Sequence, residues 1–283
     1  MTPVSPPVPP RVVPKAAPPK VHGTHTGPLI CALPLSDLHS EPHGGAWNTP
    51  PKAQVWSKSS LATCAGVPAV KVHHDKFSGT TADSQAHPTA IGGIGLKAIP
   101  RGFPMSHGGV VFAFDAFFPK GYKWARGGKI GGVSIGPGKS SAGRHTSDGA
   151  SNRIMFQVDG GAILYVYVPA GSHQVDPRLQ GTHDFGFGVF NKEFAGCLRE
   201  GEWNHLEIGT KLNTFSGSTP NADGAGSLTI NGVTHSIDKI VWRLHPEFQL
   251  NDVFLSEFFG GPDPSPVDQD CFYANFEVYA WKD

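Results

Sequence analysis

The chain has no excess of either charge: 23 Lys and Arg stand against 23 Asp and Glu in 283 residues. Nucleic-acid binders neutralise phosphates with a basic surplus, so that class is not expected. Charge of any sign is also scarce, 16% where an average domain has about 25%. A long disordered acidic or basic body is therefore excluded. No apolar run reaches the ~18 residues of a membrane-crossing helix, so no membrane partner is expected. Cysteine is sparse. Cys31, Cys64, Cys197 and Cys271 lie too far apart for a CxxC zinc or redox motif, and they fit either buried thiols or one or two disulfides. There is no Asn-x-Ser/Thr sequon, and no signal-peptide pattern opens the chain. Helical periodicity is weak throughout, which argues against bundles and coiled coils.

Glycine and proline are plentiful, 36 and 26 residues. Eight prolines crowd into the first 20 positions. Proline fixes φ and removes backbone donors, so this stretch reads as polyproline II or disordered chain. The expected organisation is a Pro-rich linker or tail over residues 1–25 and one domain over 26–283, a module of a longer protein and monomeric. Beyond the tail, short apolar runs alternate with turn signals. Gly109–Phe118 (GVVFAFDAFF) reads as a strand apolar on both faces except at Asp115. Arg153–Val158 and Ala162–Val168 flank Asp159-Gly160-Gly161, and Leu228–Ile230 and Val233–Ile237 flank Asn231-Gly232, two hairpin signals. His205–Asn213, Val253–Phe259 and Phe272–Trp281 complete an all-β pattern of a sandwich or jelly roll.

Side chains at i and i+2 of a strand share a face. Leu164, Val166, Ile154 and Phe156 therefore define a core side. The opposite side carries Ser151, Arg153, Met155 and Gln157 on one strand and Tyr165 and Tyr167 on the next. Tyrosines on a solvated sheet are also ordinary strand formers. Nearby, RGGKIGG (126–132) sets Lys129 between two Gly-Gly pairs, glycines that permit close approach of a ligand or of another backbone; a solvated lysine in a flexible loop would look the same. An open sheet surface of aromatic rings and hydroxyls suits a glycan. Arg153 would clamp a uronate carboxylate through its planar fork.

These segments resemble a known family. GGKIGG (127–132), RHTSDGASNRIMFQ (144–157), LYVYVP (164–169), GEWNHLEIGTKLN (201–213) and SEFFGG (256–261) are similar to polysaccharide lyase family fourteen, and to its chlorella-virus branch in particular. The similarity covers roughly residues 105–281. GEW and FFGG occur in other lyase-like sandwiches, whereas the ordered set Lys129, His145, Ser151, Arg153, Tyr165, Tyr167 is specific. Val133–Gly143 departs from the family as a longer loop, which bears on substrate preference.

The resemblance implies a β-jelly-roll sandwich of antiparallel sheets with a concave substrate groove. It implies β-elimination on a uronate-bearing, glucuronate- or alginate-like cell-wall polysaccharide, without cofactor or metal. Lys129, Arg153, Tyr165 and Tyr167 would be catalytic, and His145, Ser151 and Gln157 would bind substrate. Lys129 and a tyrosine are favoured for the proton transfers, with the assignment of base and acid open. The site of action would be extracellular or on a virion.

Three rival functions fit the residues less well. A glycosidase needs two positioned carboxylates, and nothing marks Asp115 with Glu207 or Glu277 as sharing one groove. A glycan-binding or virion-attachment jelly roll would use the same Tyr/Arg surface only to hold the chain. Gly132–Gly136 matches Gly-x-Ser-x-Gly, but Pro137-Gly138 opposes the helix that a serine-hydrolase elbow requires. His73-His74-Asp75 and the loop acids Asp263, Asp268 and Asp270 were read as carrying no metal.

Overall fold

The computed structural model describes residues 20–38, 58–80, 82–100, 102–138, 140–181, 184–189 and 191–283. The strands are β1 (Thr26–Ala32), β2 (Ser60–Cys64), β3 (Val67–His74), β4 (Ile94–Ala98), β5 (Gly109–Phe117), β6 (Gly127–Ile135), β7 (Ala150–Gln157), β8 (Ala162–Tyr167), β9 (Phe187–Val189), β10 (Trp203–Lys211), β11 (Phe215–Ser216), β12 (Thr219–Pro220), β13 (Gly224–Ile230), β14 (Val233–Ile240), β15 (Leu250–Phe259) and β16 (Gln269–Trp281). A larger sheet runs β14-β13-β10-β5-β16-β3-β2, with β1 also paired to β16. A smaller sheet runs β4-β15-β6-β7-β8-β9. The named strand pairs within both sheets are antiparallel. The two inner faces close one core, with Phe112, Phe114 and Ile208 of the larger sheet and Ile154, Phe156 and Leu164 of the smaller in a single cluster. Each such side chain contributes about 1.5–3 kcal/mol by leaving water. Asn152 is one polar exception. It donates through Nδ2 to Gly209 O at 2.7 Å and Thr210 Oγ1 at 3.1 Å, tying β7 to β10 through the core.

Both hairpin signals fold as read. Asp159 and Gly160 take φ 55° and 72°, and Asn231 and Gly232 take 51° and 84°, the left-handed region that these residues tolerate. β5 is buried on both faces as its composition required. In the Gly-rich segment the glycines admit neighbouring backbones, one of the two options read for them, while the loop expected from Val133 begins later. Residues 127–135 form the central strand β6 of the smaller sheet, so Lys129 is a strand residue and Val133–Ile135 lie outside the loop. Glycine is required there by close packing: a Cβ on Gly132 would sit 2.1 Å from Asn152 O, and one on Gly128 2.2 Å from the Phe156 ring. The short strands β2, β4 and β9 also escaped the reading. Cys64, Cys197 and Cys271 are unbridged thiols, and burial raises the pKa of each.

The Pro-rich residues 1–19 lie outside the described residues. Residues 20–26 run over the outer face of the larger sheet. There Gly23 N donates to Glu207 Oε2 at 2.8 Å and Thr26 Oγ1 to the same oxygen at 2.7 Å. A Cβ at Gly23 would lie 2.1 Å from Thr229 Oγ1, so only glycine lets the chain lie this close.

Candidate active site

The smaller sheet's outer face is organised in rows fixed by strand register. One row reads Lys97–Phe254–Gly132–Arg153–Tyr165 across β4, β15, β6, β7 and β8. The next reads Asp252–Ser134–Ser151–Tyr167. On the other side, Phe258, Lys129, Met155 and Ile163 line up. Lys129 reaches this face because β6 shifts register between Lys129 and Gly131, while β15 shifts between Leu255 and Phe258. Such a bulge adds one residue and re-aims the side chains beyond it. Without it, Lys129 and Gly132, three residues apart, would face opposite sides.

Arg153 is held in one pose. Its Nε donates to Ser151 Oγ at 2.9 Å and Nη2 to Ser140 O at 3.2 Å, while Ser151 Oγ donates to Ser140 O at 2.9 Å. The guanidinium lies 4.9 Å from the Phe254 ring centre and 5.7 Å from that of Tyr167. Lys129 Nζ sits 3.7 Å above the Tyr165 ring and 2.6 Å from Met155 Sδ. The tyrosine rings meet edge-on at 5.6 Å, and the His145 ring lies 5.1 Å from Tyr167. His145 Nε2 is buried without a hydrogen-bond partner. Gly186 lets its loop cover the tyrosines: a Cβ there would fall 2.7 Å from Tyr167 and 2.9 Å from Tyr165.

The electrostatics follow from this packing. Burial, reinforced by the Arg153 charge, lowers the Lys129 ammonium to about 7. Among the described residues neither Lys129 nor Arg153 makes an ion pair. Burial and the neighbouring Tyr167 push Tyr165 well above an ordinary phenol, so it keeps its proton.

Six of the seven residues singled out from sequence therefore converge: Lys129, His145, Ser151, Arg153, Tyr165 and Tyr167. Gln157 shares their face at the far end of β7, where its Nε2 donates to Phe156 O at 3.0 Å, apart from the Arg153 cluster. Ser151 and Tyr167, read as exposed, are buried at 0% and 2%, because the loop carrying Ser140 and Gly143 and the one carrying Gly186 lie over them. Met155, Phe254, Asp252 and Lys97 were missed as site residues. Met155 could have been found from its parity with Arg153; the others enter only through long-range strand pairing. Asp115 and Glu207 do come together, on either side of His205 at 2.7 and 3.2 Å, but on the larger sheet's outer face beneath residues 22–26. With an imidazole between them they are not a hydrolase pair. His73 and His74 face opposite sides, as expected, toward Asp270 and Glu257.

A jelly-roll sandwich with an Arg, Lys and Tyr cluster on one sheet face fits a carbohydrate-active protein, cleaving or holding, and comparison with known proteins decides between them. The profile of the family Polysaccharide lyase 14 matches residues 64–276. The alginate lyase vAL-1 from Chlorella virus superposes with a TM-score of 0.80 at 37% identity, over 89% of this chain and 99% of that one. The chain therefore belongs to polysaccharide lyase family 14. The marine alginate lyase of Aplysia kurodai shares the fold, with a TM-score of 0.63 at 21% identity over 78% of this chain and 87% of that one. Exolysin of Paramecium bursaria Chlorella virus 1 is 27% identical over 194 residues, 59% of this chain. The matched region spans only 29% of the exolysin.

Proposed function

We propose that the protein cleaves a uronate-bearing polysaccharide, alginate-like or glucuronate-like, by β-elimination at the Arg153 cluster. The observation that carries this reading is a rigidly held guanidinium without a carboxylate partner, beside a lysine whose proton is loosened to about 7. The C5 hydrogen of a uronate is weakly acidic. Its removal needs negative charge on the neighbouring carboxylate to be stabilised as the enolate forms, and a fixed cation in a partly desolvated site does this most effectively. Arg153 holds the carboxylate, and Ser151 fixes the guanidinium. Neutral Lys129 takes the C5 proton. The C5–H electron pair becomes the C4=C5 double bond, the C4–O4 bond breaks, and Tyr165, whose phenol keeps its proton, protonates O4. Tyr167 and His145 flank the leaving sugar. Each proton transfer is worth about 10²–10⁴-fold.

The names of the similar proteins, alginate lyases and an exolysin, favour algal wall polyuronates and action outside the cell or from a virion. The Pro-rich stretch before Lys20 serves as a linker of this module in that reading, residues 20–25 being packed on the larger sheet, and the domain works as a monomer. The test is the ultraviolet absorbance of the conjugated product formed from alginate, polyglucuronate and algal wall extract. Binding of every polymer without formation of that product would replace this reading with a glycan-holding role.

A further inference from the structure

We infer that the cavity between β4 and Arg153 is a second uronate-binding position, with Lys97 as its carboxylate ligand and Asp252 as the residue that positions Lys97. This assignment rests on the proposed uronate chemistry at Arg153 and extends it to the length of chain the protein prefers.

A cavity of about 500 Å³ is lined by Lys97, Ser134, Ser140, Arg153, Asp252 and Phe254 among others, a size suited to a small ligand or a sugar unit. It is continuous with the reaction centre, because Arg153 forms part of its wall. Its far end is basic. Lys97 projects from the edge strand β4 with its side chain 47% exposed. Its Nζ lies 2.7 Å from Asp252 Oδ2, and that aspartate side chain is only 6% exposed. The other oxygen, Asp252 Oδ1, is buried with no hydrogen-bond partner. A half-satisfied buried carboxylate holds strongly to its one cation, so the ammonium is anchored at the cavity rim. An ammonium has three donors, and the contact to Asp252 uses one.

Register gives the span. Lys97 and Arg153 occupy one row and are three strands apart, which at ~4.8 Å per strand is ~14 Å. That span is between backbones; in this assignment the two cations hold the carboxylates of different sugars of one chain lying across the strands. Between them Gly132 contributes no side chain, and the buried Phe254 ring, 4.9 Å from the Arg153 guanidinium, forms part of the cavity wall.

The test is steady-state kinetics of wild type, Lys97→Met and Lys97→Arg on long polyuronate and on a ladder of short oligouronates. Lys97→Met should raise KM on the polymer roughly tenfold or more, the effect of losing a charged hydrogen bond, with kcat unchanged. The difference should vanish on the shortest cleavable oligomers, and Lys97→Arg should restore most of the loss. Because Lys97→Met strands Asp252, the double variant Lys97→Met/Asp252→Asn should be measured as well and should show the same KM shift. An unchanged KM on polymer in both variants, or an equal shift on every chain length, overturns the second position while the lyase chemistry stands. A wild type that forms no unsaturated product on any polyuronate overturns the chemistry at Arg153 and this position with it.

Discussion

The two outer faces of the sandwich use similar side chains to opposite ends. On the larger sheet, Asp115, His205 and Glu207 form a closed network. Asn275 Nδ2 donates to Asp115 at 2.7 Å, His22 Nδ1 lies 2.7 Å from Glu207 Oε1, and Gly23 and Thr26 complete the Glu207 carboxylate. Burial opposes the charged forms there, but the partners prevail: His205 is raised to about 9 and Glu207 lowered to about 2. On the smaller sheet, Lys129 and Arg153 are half-buried without an acidic hydrogen-bond partner, and burial wins, lowering both. The difference teaches how a charged cluster is to be read. Where every donor and acceptor is matched, the cluster holds the fold; where buried cations lack an anion, the cluster is a candidate to bind one, which is the reading proposed for Arg153.

Four perturbations test that contrast. Lys129→Ala should have the largest effect, a loss of about 10²–10⁴ in rate with an unchanged melting temperature, followed by the conjugated product's absorbance. In wild type kcat/KM should rise through about pH 7 as Lys129 loses its proton. Glu207→Gln should do the reverse. It breaks a buried ion network at a cost of about 3–5 kcal/mol, read by denaturant unfolding, while specific activity of the folded protein is retained. Arg153→Ala should lower kcat/KM by about 10²–10³ at nearly full stability.

The smallest effect is a slope. His205, raised from 6.5 to about 9, contributes stability that is complete below pH 6.5 and lost as pH climbs through 9. Glu207, lowered from 4.5 to about 2, contributes stability present above 4.5 and lost as pH falls through 2. Lys129, lowered from 10.5 to about 7, works against His205: the unfolded chain binds the extra proton between pH 7 and 10.5, so stability rises there. Between pH 7 and 9 the two faces offset each other, and wild-type stability should be nearly flat. Lys129→Ala removes one side, so its stability should fall with pH over that interval. A flat Lys129→Ala curve would show that the two faces are not opposed in this way.

Much of the site was legible because it lies on one hairpin. Period-two alternation placed Ser151 and Arg153 beside Tyr165 and Tyr167 with no knowledge of the rest of the chain, and Asp-Gly-Gly fixed where the strand turned. β6 was not legible as a strand. Its glycines answer to backbones approaching from β7 and β15, which leaves no apolar alternation to read, and the bulge that aims Lys129 depends on pairing with residues about 125 positions away. Lys97, Asp252 and Phe254 are invisible for the same reason: their rows exist only once β4 and β15 are docked. The closed network escaped because its closing residues, His22 to Thr26, follow directly on a proline-rich stretch that offers nothing to pack.

The strap at Gly23 also sets a direction. Lys20, the first described residue, is paired with Glu277 on the larger sheet, so the strap lies on the side of the sandwich away from Arg153. Loss of the strap would therefore uncover the Glu207 carboxylate and leave the Arg153 face as it stands.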